Sequence, residues 1–161
     1  MIVVSNTTHL IGLASIRHFD LLHKLFGELY ISQAVYEESV VVSHEAGGAK
    51  QDVQSATWIK TVAVKDQFAV QLLLGDLDRG EAETIVLAHE LKADWVLMEE
   101  KRGRRKLGEL GIRKIGTAGR LLMAKQGGLL PTIRPDLEQL RQRGFSLSLD
   151  IINTLLTQAN E

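Results

Sequence analysis

Side chains that could do chemistry cluster at four points where apolar runs break. Asn6 follows the apolar residues 2–4 and is followed by Thr7 and Thr8. Glu38 lies a few residues beyond Leu29-Tyr30-Ile31. Glu81, with Glu83 two residues on, follows the turn-rich residues 75–80. Glu99 and Glu100 close the apolar run 95–98. Carboxylates gathered on one edge repel each other unless a cation sits among them. A hard divalent ion answers that need: Mg2+ prefers oxygen ligands, keeps several waters, and binds through one or two carboxylates plus substrate phosphates. Such ions can activate water and stabilise the leaving oxygen of a phosphodiester. Immediately after Glu100 comes a basic run, Lys101, Arg102, Arg104, Arg105 and Lys106, interrupted by Gly103. A run of this kind is ordinarily a solvated helix flank, but beside acids it could also hold a phosphate chain.

The elements around these residues decide whether they can meet. Ile2, Val3 and Val4 favour a buried strand. Thr7 or Thr8 is a suitable cap for a helix over residues 7–14. Further strands are expected at 29–31, 58–64, 95–98 and 112–115. Helices are expected over 19–26, from Ser32 to about 41, over 49–56, 66–74 and 81–91, and after the basic run, ending near Gly111. Three more follow: one from Thr117 as its cap to about 125, then 135–143 and 148–158. Residues 43–48 read as a polar, glycine-bearing loop. Strands alternating with helices imply an α/β fold with a central parallel sheet covered by helices on both faces. Right-handed crossovers put the strand ends on one edge, where sites form in open α/β sheets. Asn6 and Glu99 end strands on that edge, Glu81 starts a helix there, and Glu38 lies about a turn inside its helix.

Bulk properties exclude several classes. The 161 residues suit one domain, and 45% hydrophobic with 24% charged residues is an ordinary globular composition. A formal net charge of −1 supplies no global field toward nucleic acid or membrane, so an anionic partner must be met by a local patch. With no cysteine there are no disulfides or thiolate metal sites, which fits a reducing cytoplasm. The first apolar run is too short for a signal peptide, and no stretch reaches the roughly 20 apolar residues of a bilayer span. The five histidines show no metal-ligand spacing, and neither a phosphate-binding glycine loop nor a nucleophilic triad is visible.

Several segments in order resemble the PIN-domain ribonucleases. Residues 3–14, VVSNTTHLIGLA, are similar to their opening "V-x-D-T-S-x-L-I-x-L". Residues 31–40, ISQAVYEESV, resemble their second acidic segment, and GEAETIVLA at 80–88 the third. ADWVLMEEKRGR at 93–104 resembles "L-L-x-D-D/E-x-x-G/A-R" of a branch of nucleic-acid-binding proteins related to the VapC toxins. Residues 115–122 and 144–148 are also similar to that branch, so the likeness spans nearly the whole chain. It implies a three-layer PIN-like fold and an endoribonuclease of single-stranded RNA dependent on Mg2+ or Mn2+. The family's acidic positions then fall on Asn6, Glu38, Glu81 and Glu99, with Glu100 beside them and Glu83 competing with Glu81. Glu38, Glu81, Glu99 and Glu100 become the expected metal ligands. Thr7 matches the small hydroxyl after the first acid, and Thr117 is a further candidate. Lys101, Arg102, Arg104 and Arg105 become the expected RNA contacts. A homodimer and an antitoxin protein over the cleft are further implications. The chain departs from the pattern twice: Asn6 replaces an Asp, offering a neutral oxygen in place of a charge, and Glu99 replaces an Asp. The first departure keeps open an inactive PIN-like module that binds RNA or protein without cutting.

Overall fold

The computed structural model describes residues 1–42 and 49–161; the loop expected at 43–48 lies outside the described residues. Two compact units divide the chain, residues 1–115 and 116–161.

The first unit is built on five parallel strands: β1 (Val3–Ser5), β2 (Leu29–Ser32), β3 (Ile59–Val62), β4 (Trp95–Leu97) and β5 (Lys114–Ile115). All five expected strands form, the outer ones shorter than the sequence pattern suggests. β1 and the apolar end of β4 are buried, as strands covered on both faces must be, which is why they read as continuous apolar runs. The spatial order is β3-β2-β1-β4-β5. The chain therefore moves outward from β1 to β3, then returns to the other side of β1 to place β4 and β5. With right-handed crossovers, that reversal puts connecting helices on opposite faces of the sheet and makes the three layers.

The connecting helices are α1 (Thr7–Ser15), α2 (Asp20–Phe26), α3 (Gln33–Glu37), α4 (Lys50–Ser55), α5 (Gln67–Leu73), α6 (Arg79–Leu91) and α7 (Lys101–Glu109). A π-helical turn, Glu38–Val42, continues α3. α6 is the central helix. It packs on β1, β2 and β4 and also against α3, α5 and α7. Every residue from Gly80 to Ala88 is buried, so its carboxylates Glu81 and Glu83 are held in the protein rather than on a solvated face. Ile85 and Leu87 belong to the same apolar cluster as Val4, Val96 and Leu107.

In the first unit, three helix starts differ from the sequence expectation. Asn6, not Thr7 or Thr8, holds the cap position of α1, and its side chain makes no capping bond. α6 begins at Arg79 rather than Glu81, because the Asp78 carboxylate accepts the Glu81 backbone N–H at 2.8 Å and caps the helix two residues earlier. α7 starts at Lys101, so the basic run is the helix's own first turns rather than a segment before it.

The second unit contains α8 (Thr117–Gln126), α9 (Arg134–Gln142) and α10 (Leu149–Gln158). α8 packs on α10, and Ser148 caps α10 through the Ile151 N–H at 3.2 Å. Glu161 ties the unit together, accepting from Lys125 Nζ at 3.0 Å and from the Ile133 N–H at 2.9 Å. Thr117 is buried here as the first residue of α8, with Gly116 at the cap.

Candidate active site

The strand order reverses between β1 and β4, the place where the crevice outside the strand ends is widest in such sheets. β1 and β4 pair in register from Val3–Trp95 to Ser5–Leu97. The Asn6 N–H donates to the Leu97 carbonyl at 3.0 Å, extending the pairing by one residue. That bond fixes Asn6 at the mouth of the crevice, 2% exposed.

Asn6 looks across to the segment after β4. Its Nδ2 donates to Glu100 Oε2 at 2.8 Å and lies 3.4 Å from Met98 Sδ. The amide must present its nitrogen here, since an oxygen would repel the carboxylate. Thr8 Oγ1 donates to the other oxygen of the same carboxylate, Glu100 Oε1. Thr7 Oγ1 turns the other way and donates to Glu38 Oε2 at 2.7 Å. His9, buried one residue further on, places Nδ1 3.5 Å from Glu99 Oε1. Four consecutive residues of α1 and its cap thus each meet a carboxylate of the sequence-expected set.

Glu38 is brought in by the junction of α3 with the π-helical turn; such turns are frequent at functional sites. Its carboxylate also accepts the Gly80 backbone N–H. This approach uses the missing side chain at position 80: a Cβ there would stand 2.5 Å from Glu38 Oε1 and push the carboxylate aside. Burial pushes the Glu38 carboxyl above its ordinary range; the Thr7 bond opposes this, and Asp78 and Glu100 add to the rise. Glu81 is pushed up to about 8, first by burial, then by a hydrogen bond and charge repulsion from Asp78, then by Glu100. The electrostatic neighbourhood is therefore Glu38, Asp78, Glu81 and Glu100.

Other expected site residues are placed elsewhere. Glu83 accepts the Ala34 N–H at 3.2 Å, serving one of the open donors at the start of α3, and faces Arg79 at 3.4 Å. It ties two helices together, whereas Glu81 joins the acids. Glu99 turns to His9 while Glu100 meets Asn6. The basic run is divided by the turn of α7. Arg104 is half-buried and donates to the Met98 carbonyl at 3.0 Å. Arg102 reaches the Asp76 carbonyl at 3.4 Å, and Lys106 pairs with Glu109 at 2.8 Å. Lys101 and Arg105 stand exposed. Thr117 belongs to the second unit. The sequence reading missed Asp78, although Asp78-x-x-Glu81 has capping-box spacing that foretells two carboxylates in one helix turn.

A family model described as PIN domain matches residues 2–161. The chain belongs to the PIN-domain family. Among curated proteins none matches the chain significantly. The PIN fold is a nuclease-type fold, and PIN domains generally use divalent metal ions. Among the described residues no three acidic or histidine side chains are gathered so as to hold a metal ion. The donor set of this PIN domain suits a hydrated hard cation held through one or two carboxylates, not an all-protein cage. Glu38 and Glu81, both raised and both repelled by Asp78 and Glu100, are what an added positive charge would relieve. No described helix is long and apolar enough to cross a membrane.

Proposed function

We propose that this PIN-domain protein is an endoribonuclease of single-stranded RNA that uses Mg2+ or Mn2+, of the VapC-like kind that acts as the toxin of a toxin–antitoxin pair. The reading takes residues 1–161 as one PIN-like domain, working in the cytoplasm as a homodimer with an antitoxin protein covering the cleft. The observation that supports it is that Glu38 and Glu81 are each repelled by Asp78 and Glu100, and that Glu100 is bonded by Asn6 at the β1/β4 reversal.

One or two of Glu38, Glu81 and Glu100 would hold the cation through carboxylate oxygen, with water filling its other positions, and Glu99 supports the β4–α7 segment through His9. When bound, the ion would supply Lewis-acid stabilisation of phosphoryl oxygens and a more acidic water. Asn6 supplies a hydrogen-bonding amide where the family pattern has an acid, so it orients rather than deprotonates. Lys101, Arg102 and Arg105 sit at the first turns of α7, whose amino end is already positive from its open N–H groups. Cations there weaken the helix and strengthen the attraction for a phosphate chain. Arg104, bonded to the Met98 carbonyl, holds the end of β4 in place.

The test is cleavage of a fluorophore-labelled single-stranded RNA with Mn2+, Mg2+ or EDTA. Cleavage lost in EDTA and in E38Q, E81Q and E100Q supports the reading. RNA that is bound and left intact by the native protein at every metal concentration replaces it with the second reading, an inactive PIN module. Asn6 favours that second reading, because a neutral amide already occupies Glu100.

A further inference from the structure

Both oxygens of Glu100 are already taken. Asn6 Nδ2 donates to Oε2 at 2.8 Å, and Thr8 Oγ1 donates to Oε1. Both donors belong to the start of α1, fixed to β4 by the Asn6 N–H bond to Leu97. Asn6 Nδ2 also lies 3.4 Å from Met98 Sδ, and Gly103 leaves room for that thioether: a Cβ at 103 would stand 2.8 Å from Met98 Sδ. The carboxylate is thus held against α1 by two donors. A cation that takes an oxygen from Glu100 must displace a charge-assisted hydrogen bond, which is among the stronger kinds.

We propose that Thr8, together with Asn6, locks the Glu100 carboxylate against α1, and that Thr8 thereby sets how readily Glu100 yields an oxygen to a divalent cation. Thr8 is a positioning residue, not a catalytic one. The consequence for metal rests on the nuclease reading above; the lock itself does not. Thr8→Val keeps the shape of the side chain and removes only the donor, and Thr8→Ser keeps the donor.

The experiment has two arms. In metal-free buffer with EDTA, thermal unfolding of the native protein, T8V, E100M and T8V/E100M forms a double-mutant cycle; methionine matches the length of glutamate and removes the acceptor. The lock predicts that the two single shifts in Tm do not add, because each removes the same bond. Calorimetric titration with Mn2+ then compares the native protein, T8V and T8S. T8V is expected to bind about tenfold tighter, the scale of one lost hydrogen bond to a charged group, and T8S to bind as the native protein does. Additive shifts in the first arm overturn the lock whatever the metal does. A non-additive cycle with equal Mn2+ affinity in T8V and native protein overturns the gating of metal while leaving the nuclease reading intact. A non-additive cycle with no Mn2+ binding by any of the proteins overturns the metal reading itself, and the gating with it.

Discussion

Replacing Asn6 by Asp exchanges one heavy atom, the amide nitrogen for an oxygen, and reverses the sign of one contact. The native amide donates to Glu100 Oε2 at 2.8 Å. Asn6→Asp removes that donor, at a cost of about 1.5–3 kcal/mol for a hydrogen bond to a charged group. It also sets two carboxylates face to face; at about 4 Å and an effective dielectric of about 20 their repulsion has an upper bound of about 4 kcal/mol. Sharing a proton relieves part of this, so the metal-free variant should lose about 2–5 kcal/mol. For a chain of this size each kcal/mol moves Tm by about 2–4 °C, which gives a fall of about 4–20 °C. The same added charge should strengthen cation binding. Mg2+ at about a hundred times its Kd returns about 2.7 kcal/mol, so the ion should restore much of the lost Tm, and RNA cleavage should rise over the native protein. Differential scanning fluorimetry in EDTA and in a Mg2+ series, with the RNA assay run in parallel, measures all three. An N6D protein that melts with the native one in EDTA and responds no more strongly to Mg2+ refutes the reasoning, because the contact on which it rests would be absent.

Other outcomes follow from the same geometry. Glu81 is an acid whose carboxyl is raised to about 8 in the folded chain. The folded state therefore holds a proton that the unfolded chain has released, and metal-free stability should fall as pH rises from about 5 to 8. E81Q should flatten that slope in urea titrations at successive pH values. Gly80→Ala places a Cβ 2.5 Å from Glu38 Oε1, the movable end of a side chain; the carboxylate should swing away, so Tm should change little, since the helix gains about 1 kcal/mol from alanine, while the Mn2+-induced rise should shrink. Neutralising Arg102 and Arg105 should flatten the salt dependence of RNA affinity by about 0.7 per lost single-strand phosphate contact. Arg104→Met should lower stability and leave that slope unchanged, because Arg104 is bonded to the Met98 carbonyl.

The sheet and its helices were legible because burial writes itself into the pattern. Val3, Val4, Val96 and Leu97 are covered on both faces, and only unbroken apolar runs survive there. The site was legible to the level of which segments meet and not to which atoms. Adjacent residues leaving a strand point to opposite sides, and nothing in the pair Glu99-Glu100 says which of them meets Asn6. The sheet order brings β4 directly beside β1, and there Glu100 turns to Asn6 while Glu99 turns to His9. The division of the basic run was hidden for a similar reason. Gly103 and Leu107 mark the buried face of α7, and Arg104 beside that face is drawn inward, which a count of charges does not reveal. The π-helical turn after α3 left no mark in the sequence.

One consequence of the helix start explains how so few residues serve so many acids. Successive positions at the amino end of a helix are turned by about 100° from one another, so neighbours in sequence look in different directions. Asn6 and Thr8 face the segment after β4, Thr7 faces Glu38 beyond α3, and His9 reaches Glu99 from the interior. An acid at position 6 would repel Glu100 at once, and the cluster would then need a cation to close. With an amide there, the uncharged donors Asn6, Thr7 and Thr8 hold Glu38 and Glu100 in place without one. The choice of residue at position 6 therefore trades dependence on metal for stability without it, and Thr8 is the second donor that makes the trade possible.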